Sequence, residues 1–201
     1  MQLSGTKLAG SNAERGRVEN DYYATPLSAT ETLIVDGLQE CFLGSTILEP
    51  SAGEGHIVKV LDTYYPNCKI IANDLVERKS KFGYKINGGI DFLTYEPTEK
   101  IDTVITNPPF KLAQEFIEKG LSIAKKYIII FAKIQLLEGE KRRKLFEQSP
   151  PHYVYVFSKR VNPLRNGEEF DENGKPWAST MCFAWFVWEI GYKGETIVRW
   201  I

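Results

Sequence analysis

The segment Thr106-Asn107-Pro108-Pro109-Phe110 concentrates residue types that can do chemistry. Two prolines fix φ and remove two amide donors, and Asn107, which precedes a proline, is driven to extended geometry. The resulting turn is rigid and rich in acceptors. Its outward-facing groups are the Asn107 side-chain oxygen and the Pro108 carbonyl, with the Phe110 ring beside them. Such a set can accept both protons of an exocyclic amino group while the ring stacks on the planar base that carries it. Drawing those protons toward acceptors leaves the nitrogen lone pair freer to attack an electrophilic methyl carbon. Asn107, Pro108, Pro109 and Phe110 are therefore the candidate catalytic residues.

Upstream, TILEPSAGEGHIV places a glycine-rich loop between a strand and a helix, where backbone amides and a helix N-terminus can approach a ligand closely. A dinucleotide fingerprint, G-x-G-x-x-G, would need glycine at position 58, which is Val58. Glu49, at the mouth of the loop, would repel a pyrophosphate, and no G-x-x-x-x-G-K-[ST] occurs. A cationic ligand suits the loop better. S-adenosylmethionine, with an ammonium, a sulfonium and no phosphate, fits on charge. Asp74 follows the next strand, where an acidic residue can accept hydrogen bonds from ribose hydroxyls. Asp91-Phe92 offers a carboxylate and an aromatic ring for an adenine.

These groups must be held by alternating elements. Residues 1–20, rich in Gly, Ser, Asn and charge, read as a tail or lid. Thr25-Pro26 and the capping-box form Ser28-Ala29-Thr30-Glu31 predict a helix start, followed by an apolar stripe of Leu33, Ile34, Leu38 and Phe42. Strands are expected at 46–49, 69–73, 101–106 and 127–132. Helices are expected at 55–65, after Leu75, at 111–125 and at 138–148. This βαβ alternation predicts a mostly parallel sheet covered on both faces, and the unbroken apolar run YIIIFA is a strand buried on both sides. Strands at 153–157, 181–189 and 195–200 follow, and two strands in succession without a helix between them imply an antiparallel pair, so the sheet should end mixed. Between them lies a polar loop at 160–179.

In this order the motifs resemble those of S-adenosylmethionine-dependent amino-group methyltransferases, and most closely the adenine-N6 DNA methyltransferases, from about Asp21 to the end of the chain. Asp21-Tyr22-Tyr23-Ala24-Thr25-Pro26 is similar to the family's N-terminal cofactor motif, which covers the methionine moiety. Glu49-Pro50-Ser51-Ala52-Gly53-Glu54-Gly55 is similar to its glycine motif, Asn73-Asp74-Leu75 to its ribose motif, Asp91-Phe92 to its adenine motif, and Asn107-Pro108-Pro109-Phe110 to its catalytic motif. The order resembles the γ arrangement. The resemblance implies one domain over residues 21–201, an α/β fold with a doubly wound, mostly parallel seven-stranded sheet of the class I methyltransferase type, and an antiparallel C-terminal hairpin. It implies methyl transfer to adenine N6 in DNA on an extruded base, stacked on Phe110, with S-adenosylmethionine as cofactor. Tyr23, Thr25, Pro26, Glu49, Ser51, Ala52, Gly53, Gly55, Asp74, Leu75, Asp91 and Phe92 would hold the cofactor. The same turn serves amino groups in RNA, cytosine N4 and a protein glutamine amide. A scaffold subunit that binds the cofactor without catalysis is the alternative from another class.

Composition frames the target. Of 201 residues, 43% are hydrophobic and 25% charged, and Lys+Arg 25 against Asp+Glu 26 give a net charge of −1, so contact with nucleic acid must come from a local patch. The basic stretch is Lys141-Arg142-Arg143-Lys144, with Lys133 upstream. Lys159 and Arg160, at the start of the 160–179 loop, are candidates for substrate contact, whereas Glu168, Glu169, Asp171 and Glu172 make the loop itself acidic. Loose specificity, a very short site or help from a partner protein is expected. Trp185 and Trp188 read as packed strand residues, Trp177 is undecided, and His56 and His152 read as structural or surface residues. Cys41, Cys68 and Cys182 show neither a disulfide framework nor a zinc pattern, so no metal is expected. No apolar run approaches the roughly 20 residues of a membrane span, and the polar N-terminus lacks a signal peptide. A cytoplasmic setting is the default.

Overall fold

A computed structural model describes residues 23–38, 43–175 and 181–201. The chain runs through β1 (Tyr23–Ala24), α1 (Leu27–Thr32) continuing into a wider π turn (Leu33–Gly37), β2 (Thr46–Glu49), α2 (His56–Tyr64) and β3 (Lys69–Ala72). After β4 (Ile101–Thr106) come a 3-10 turn (Phe110–Leu112), α3 (Ala113–Ile123), β5 (Ala124–Lys133) and α4 (Glu140–Gln148). The last elements are β6 (Tyr153–Val156), β7 (Leu164–Arg165), β8 (Phe183–Glu189) and β9 (Ile197–Trp200).

Seven strands form one mixed sheet in the order β3-β2-β4-β5-β8-β6-β9, an α/β fold. β3, β2, β4 and β5 are mutually parallel, β8 runs antiparallel to both β5 and β6, and β9 lies parallel to β6 at the outer edge. The antiparallel pairing expected of 153–157 and 181–189 is that of β6 with β8, and β8, inserted between β5 and β6, is antiparallel to β5 as well. β1 and β7 pair separately, with Tyr23 opposite Arg165 and Ala24 opposite Leu164.

Alternation along β5 explains the two layers. Ile128, Ile130 and Ala132 point into one core with Val104, Phe116, Ile117, Phe186 and Trp188, while Ile129 and Phe131 point into the other with Leu33, Ile47, Leu61 and Trp185. A strand whose successive side chains both meet hydrocarbon must be apolar throughout, as YIIIFA is. Trp185 and Trp188 are packed strand residues. The Trp185 Nε1 donates to the Ala29 carbonyl at 2.9 Å, so it pins α1 to the sheet, and the Trp188 Nε1 donates to the Ser149 carbonyl.

Three local features differ from expectation. The first helix takes no side-chain cap: Pro26 (φ −54°, ψ 141°) occupies the N-cap position, and Ser28 already lies inside the first turn. No helix follows Leu75. The Asp74 carboxylate instead accepts the Val76 amide at 2.8 Å, closing a local turn, and Asn87 pairs with Ala72 and Asp74 through main-chain bonds that prolong the β3 edge. The polar loop contains a tight hairpin in which Arg165 faces Glu168 across Asn166 (φ 53°) and Gly167 (φ 76°). Two successive positive φ values are what a primed turn demands, and Asn-Gly is the pair that adopts them most readily. Residues 1–20, Cys41, Phe42, Trp177 and the rest of 176–180 lie outside the described residues.

Candidate active site

The C-terminal ends of β3, β2 and β4 stand side by side, and the connections leave β2 toward β3 on one side and reach β4 on the other. Ligands of open α/β sheets bind at such a reversal. One cleft opens there. Its walls are Tyr23, Ala24 and Thr25 from the N-terminal segment, Ser51, Ala52, His56 and Ile57 from the glycine loop and α2, Asp74, Leu75, Val76 and Arg78 after β3, and Asn107 through Phe110 after β4.

Glu49 ends β2 beneath this cleft and is fully buried. Its Oε1 accepts the Ser51 amide at 3.1 Å and the Thr106 hydroxyl at 2.5 Å, whereas Oε2 has no hydrogen-bond partner among the described residues. Burial pushes the carboxyl up to about 8 and nearby Asp74 adds to the rise, while the Thr106 and Ser51 bonds oppose it. A buried carboxylate with an unused oxygen is costly until a positive charge arrives. Thr25, also buried, leaves its hydroxyl without a partner among the described residues.

The glycine loop is held by Asp74, whose carboxylate accepts the Gly53 amide at 2.7 Å. Gly55 ends it at φ 92°, a left-handed position open to glycine, and α2 starts at the next residue. That residue, His56, is buried on Phe82, with ring centroids 5.1 Å apart and planes at 90°. Burial and the nearby Lys81 lower its pKa to about 4, although Glu168 pulls the other way, so the imidazole is neutral near pH 7. Its Nδ1 has no partner among the described residues.

The Asn-Pro-Pro-Phe turn is braced from the N-terminal side. The Asn107 Nδ2 donates to the Tyr23 carbonyl at 2.8 Å, which turns the amide oxygen the other way. The Tyr23 ring stacks on Phe110 at 5.6 Å and 28°. Phe110 also meets Phe183 at 6.0 Å and carries the Lys133 ammonium 4.2 Å from its ring centroid. On the far side of Tyr23, the β7 hairpin reaches the glycine loop, where the Lys81 ammonium donates to the Gly167 carbonyl at 3.1 Å and lies 3.5 Å from the Glu168 carboxylate.

Of the residues chosen from sequence, Tyr23, Thr25, Ser51, Ala52, Asp74, Leu75, Asn107, Pro108, Pro109 and Phe110 line one cleft. Glu49, Gly53, Gly55 and Pro26 do not join the lining: Glu49 is buried beside Ser51, Gly53 is tied to Asp74, Gly55 precedes α2, and Pro26 sets the start of α1 behind Thr25. Asp91 and Phe92 do not join the lining. Asp91 is exposed and caps the Leu93 amide, and Phe92 is buried in the core against Phe116, centroids 4.9 Å apart. Lys159 and Arg160 are exposed and also lie outside the lining. His56, Arg78, Thr106, Lys133 and the β7 hairpin belong to the site or its surroundings without being expected there from sequence. The Asn-Gly at 166–167 signals the hairpin. Among the described residues there is no group of three or more His, Cys, Asp or Glu able to hold a metal, and no helix is long and apolar enough to cross a membrane.

No protein-family model and no curated protein matches the sequence. Solved structures do match its fold. A type I restriction-modification system methyltransferase subunit from Streptococcus thermophilus superposes with a TM-score of 0.60 at 13% identity, over 98% of this chain and 53% of its own. This chain therefore spans about half the length of that subunit. A candidate RNA methyltransferase from Pyrococcus horikoshii gives 0.61 at 14% identity, over 94% of this chain and 99% of its own. A SAM-dependent O-methyltransferase from Thermotoga maritima gives 0.51 at 13% identity, over 92% and 71%. These likenesses establish the class I methyltransferase fold.

Proposed function

We propose that the chain binds S-adenosylmethionine and transfers its methyl group to the N6 amino group of adenine in DNA. The fit of the cofactor rests on the donor set. Thr25, whose buried hydroxyl is unpartnered among the described residues, lines this cleft, and Glu49, a buried carboxyl with one unused oxygen, lies behind the lining residue Ser51, whose amide it accepts. An ammonium group satisfies both, and its charge favours the ionised form of Glu49. Asp74 stands at the end of β3, where ribose hydroxyls would lie, and exposed Leu75 beside it offers an apolar face for the purine. When bound, the cofactor supplies an electrophilic methyl group.

One observation carries the acceptor side: the bond from Asn107 Nδ2 to the Tyr23 carbonyl. A primary amide whose nitrogen is engaged must present its oxygen elsewhere, and Asn107 lines the cleft. Oδ1 and the Pro108 carbonyl then accept the two protons of the target amino group, which keeps charge from building on the nitrogen as its lone pair attacks. Orientation is fixed before the substrate arrives, so little of it is lost on binding. The likeness to the restriction-modification subunit and the Phe110 ring favour DNA adenine. The likeness to the Pyrococcus protein over nearly all of both chains supports a second reading, an amino group in RNA. Sequence choice in DNA would then rest on the loop around the β7 hairpin or on a partner protein.

The test is incubation with methyl-labelled cofactor and separate DNA, RNA and protein acceptors, followed by nucleoside mass spectrometry. N6-methyladenine in DNA is expected. Label confined to RNA would move the assignment to the second reading, and label confined to N4-methylcytosine or protein would overturn it.

A further inference from the structure

Lys133 is the last residue of β5, and its Cα pairs with Phe183 at the start of β8. β4 and β5 are parallel neighbours with Thr106 opposite Ile130, so Lys133, three residues past Ile130, emerges at the same end of the sheet as the Asn-Pro-Pro-Phe turn and level with it. The half-buried side chain bends back over that turn and places its ammonium 4.2 Å from the Phe110 centroid. A planar base stacked on a ring sits at about 3.5 to 4 Å between carbon atoms. The ammonium and a stacked base cannot share that face of Phe110.

We infer that Lys133 occupies the stacking face of Phe110 until the target base arrives, and then passes to a phosphate flanking that base. Lysine is built for the exchange. Its compact charge rides on a flexible four-carbon stem, so it can leave the ring without moving β5. The cation–π contact it gives up is replaced by an ion pair with the phosphate that the incoming nucleotide brings. The chain has a net charge of −1 and an acidic hairpin loop nearby, so a cation delivered at the target nucleotide supplies attraction that the surface as a whole does not. Until then, the desolvated ring face is covered and excludes a stray apolar ligand.

This inference rests on the proposed action on DNA, and the experiment separates the two. Steady-state methylation of one DNA oligonucleotide containing the adenine found modified is measured for wild type, Lys133→Met, Lys133→Arg and a control, Lys69→Gln. Lys69 lies at the opposite end of the sheet in an exposed pair with Glu99. Each enzyme is also given the same oligonucleotide with neutral methylphosphonates at the two phosphates flanking that adenine. Lys133→Met should raise KM several-fold on the charged substrate and lower the slope of log affinity against log salt by about one, while Lys133→Arg and Lys69→Gln keep the wild-type slope. On the neutral-flanked substrate, Lys133→Met should match or better the wild-type KM, since no ammonium has to be displaced. An unchanged salt slope in an active Lys133→Met enzyme overturns the phosphate contact while leaving the DNA activity standing. A raised KM for Lys133→Met on the neutral-flanked substrate overturns the displacement. A wild type that modifies no DNA removes the function and this inference together.

Discussion

The side-chain amide of Asn107 and the main-chain carbonyl of Tyr23, 84 residues apart in sequence, are joined by a 2.8 Å hydrogen bond. The bond ties the turn after β4 to the segment before α1, and the Tyr23–Phe110 ring pair repeats the tie one side chain further on. The position of the acceptor oxygen is therefore set by two distant parts of the chain at once.

Replacing Asn107 by alanine removes the acceptor and the anchor together. Methyl transfer should fall by about a hundredfold or more, the loss seen when one oriented hydrogen-bonding group is taken from a transition state. Cofactor affinity, read by calorimetry, should change little, because the proposed contacts of the cofactor's charged groups are with Glu49 and Thr25, not Asn107. Wild-type turnover in this variant would dismiss the proposed role.

Glu49 should make cofactor binding release a proton. With its carboxyl at about 8 in the ligand-free chain, it is largely protonated at pH 7, and an arriving cation favours the ionised form. Affinity should climb as pH rises toward 8 and level off above it, and Glu49→Gln should flatten this trend. The stability of the ligand-free protein runs the opposite way. A folded pKa above the unfolded value of 4.5 gives stabilisation that is complete below pH 4.5 and fades as pH climbs through 8. Thermal melts of wild type and Glu49→Gln across pH 5 to 8.5 check this component, which the glutamine variant should lack.

Phe110→Ala should weaken DNA binding more than cofactor binding. Base–aromatic stacking contributes about 1 to 3 kcal/mol per base, so a roughly tenfold rise in Kd for the oligonucleotide is expected, with calorimetry of the cofactor as the comparison. An equal loss for both ligands would point to collapse of the Tyr23 and Phe183 contacts instead.

Trp185→Phe tests the fold rather than the chemistry. It keeps most of the buried ring but deletes the bond from Nε1 to the Ala29 carbonyl. A loss of about 1 kcal/mol in denaturant unfolding is expected, with any loss of activity following from a looser α1, since Trp185 itself is outside the cleft.

The parallel half of the sheet is legible because burial on both faces demands unbroken β-branched and aliphatic runs, and the Asn-Pro-Pro-Phe turn because proline dictates geometry without help from distant residues. His56 is harder to read. Its neutrality depends on burial against Phe82, a contact that no local pattern announces. Phe92 shows the reverse difficulty: a phenylalanine after an aspartate reads equally well as a ligand's cover or as core, and the partner that decides it, Phe116, comes from α3. The helix expected after Leu75 lost to a competing local bond, the Asp74 carboxylate on the Val76 amide. Lys133 was visible as a charge, but only the register of β5 against β4 brings it over Phe110.

The β1–β7 pair is two residues long on each side. A ladder that short holds few bonds, each contributing about 1 kcal/mol net, so thermal motion can part it without disturbing the large sheet. Its strands nonetheless link Asn107, through Tyr23, to the hairpin that Lys81 fastens beside the glycine loop. Under the proposed function, parting this pair would free the Tyr23 carbonyl that holds Asn107, so the N-terminal segment and the Asn-Pro-Pro-Phe turn would lose their shared alignment together.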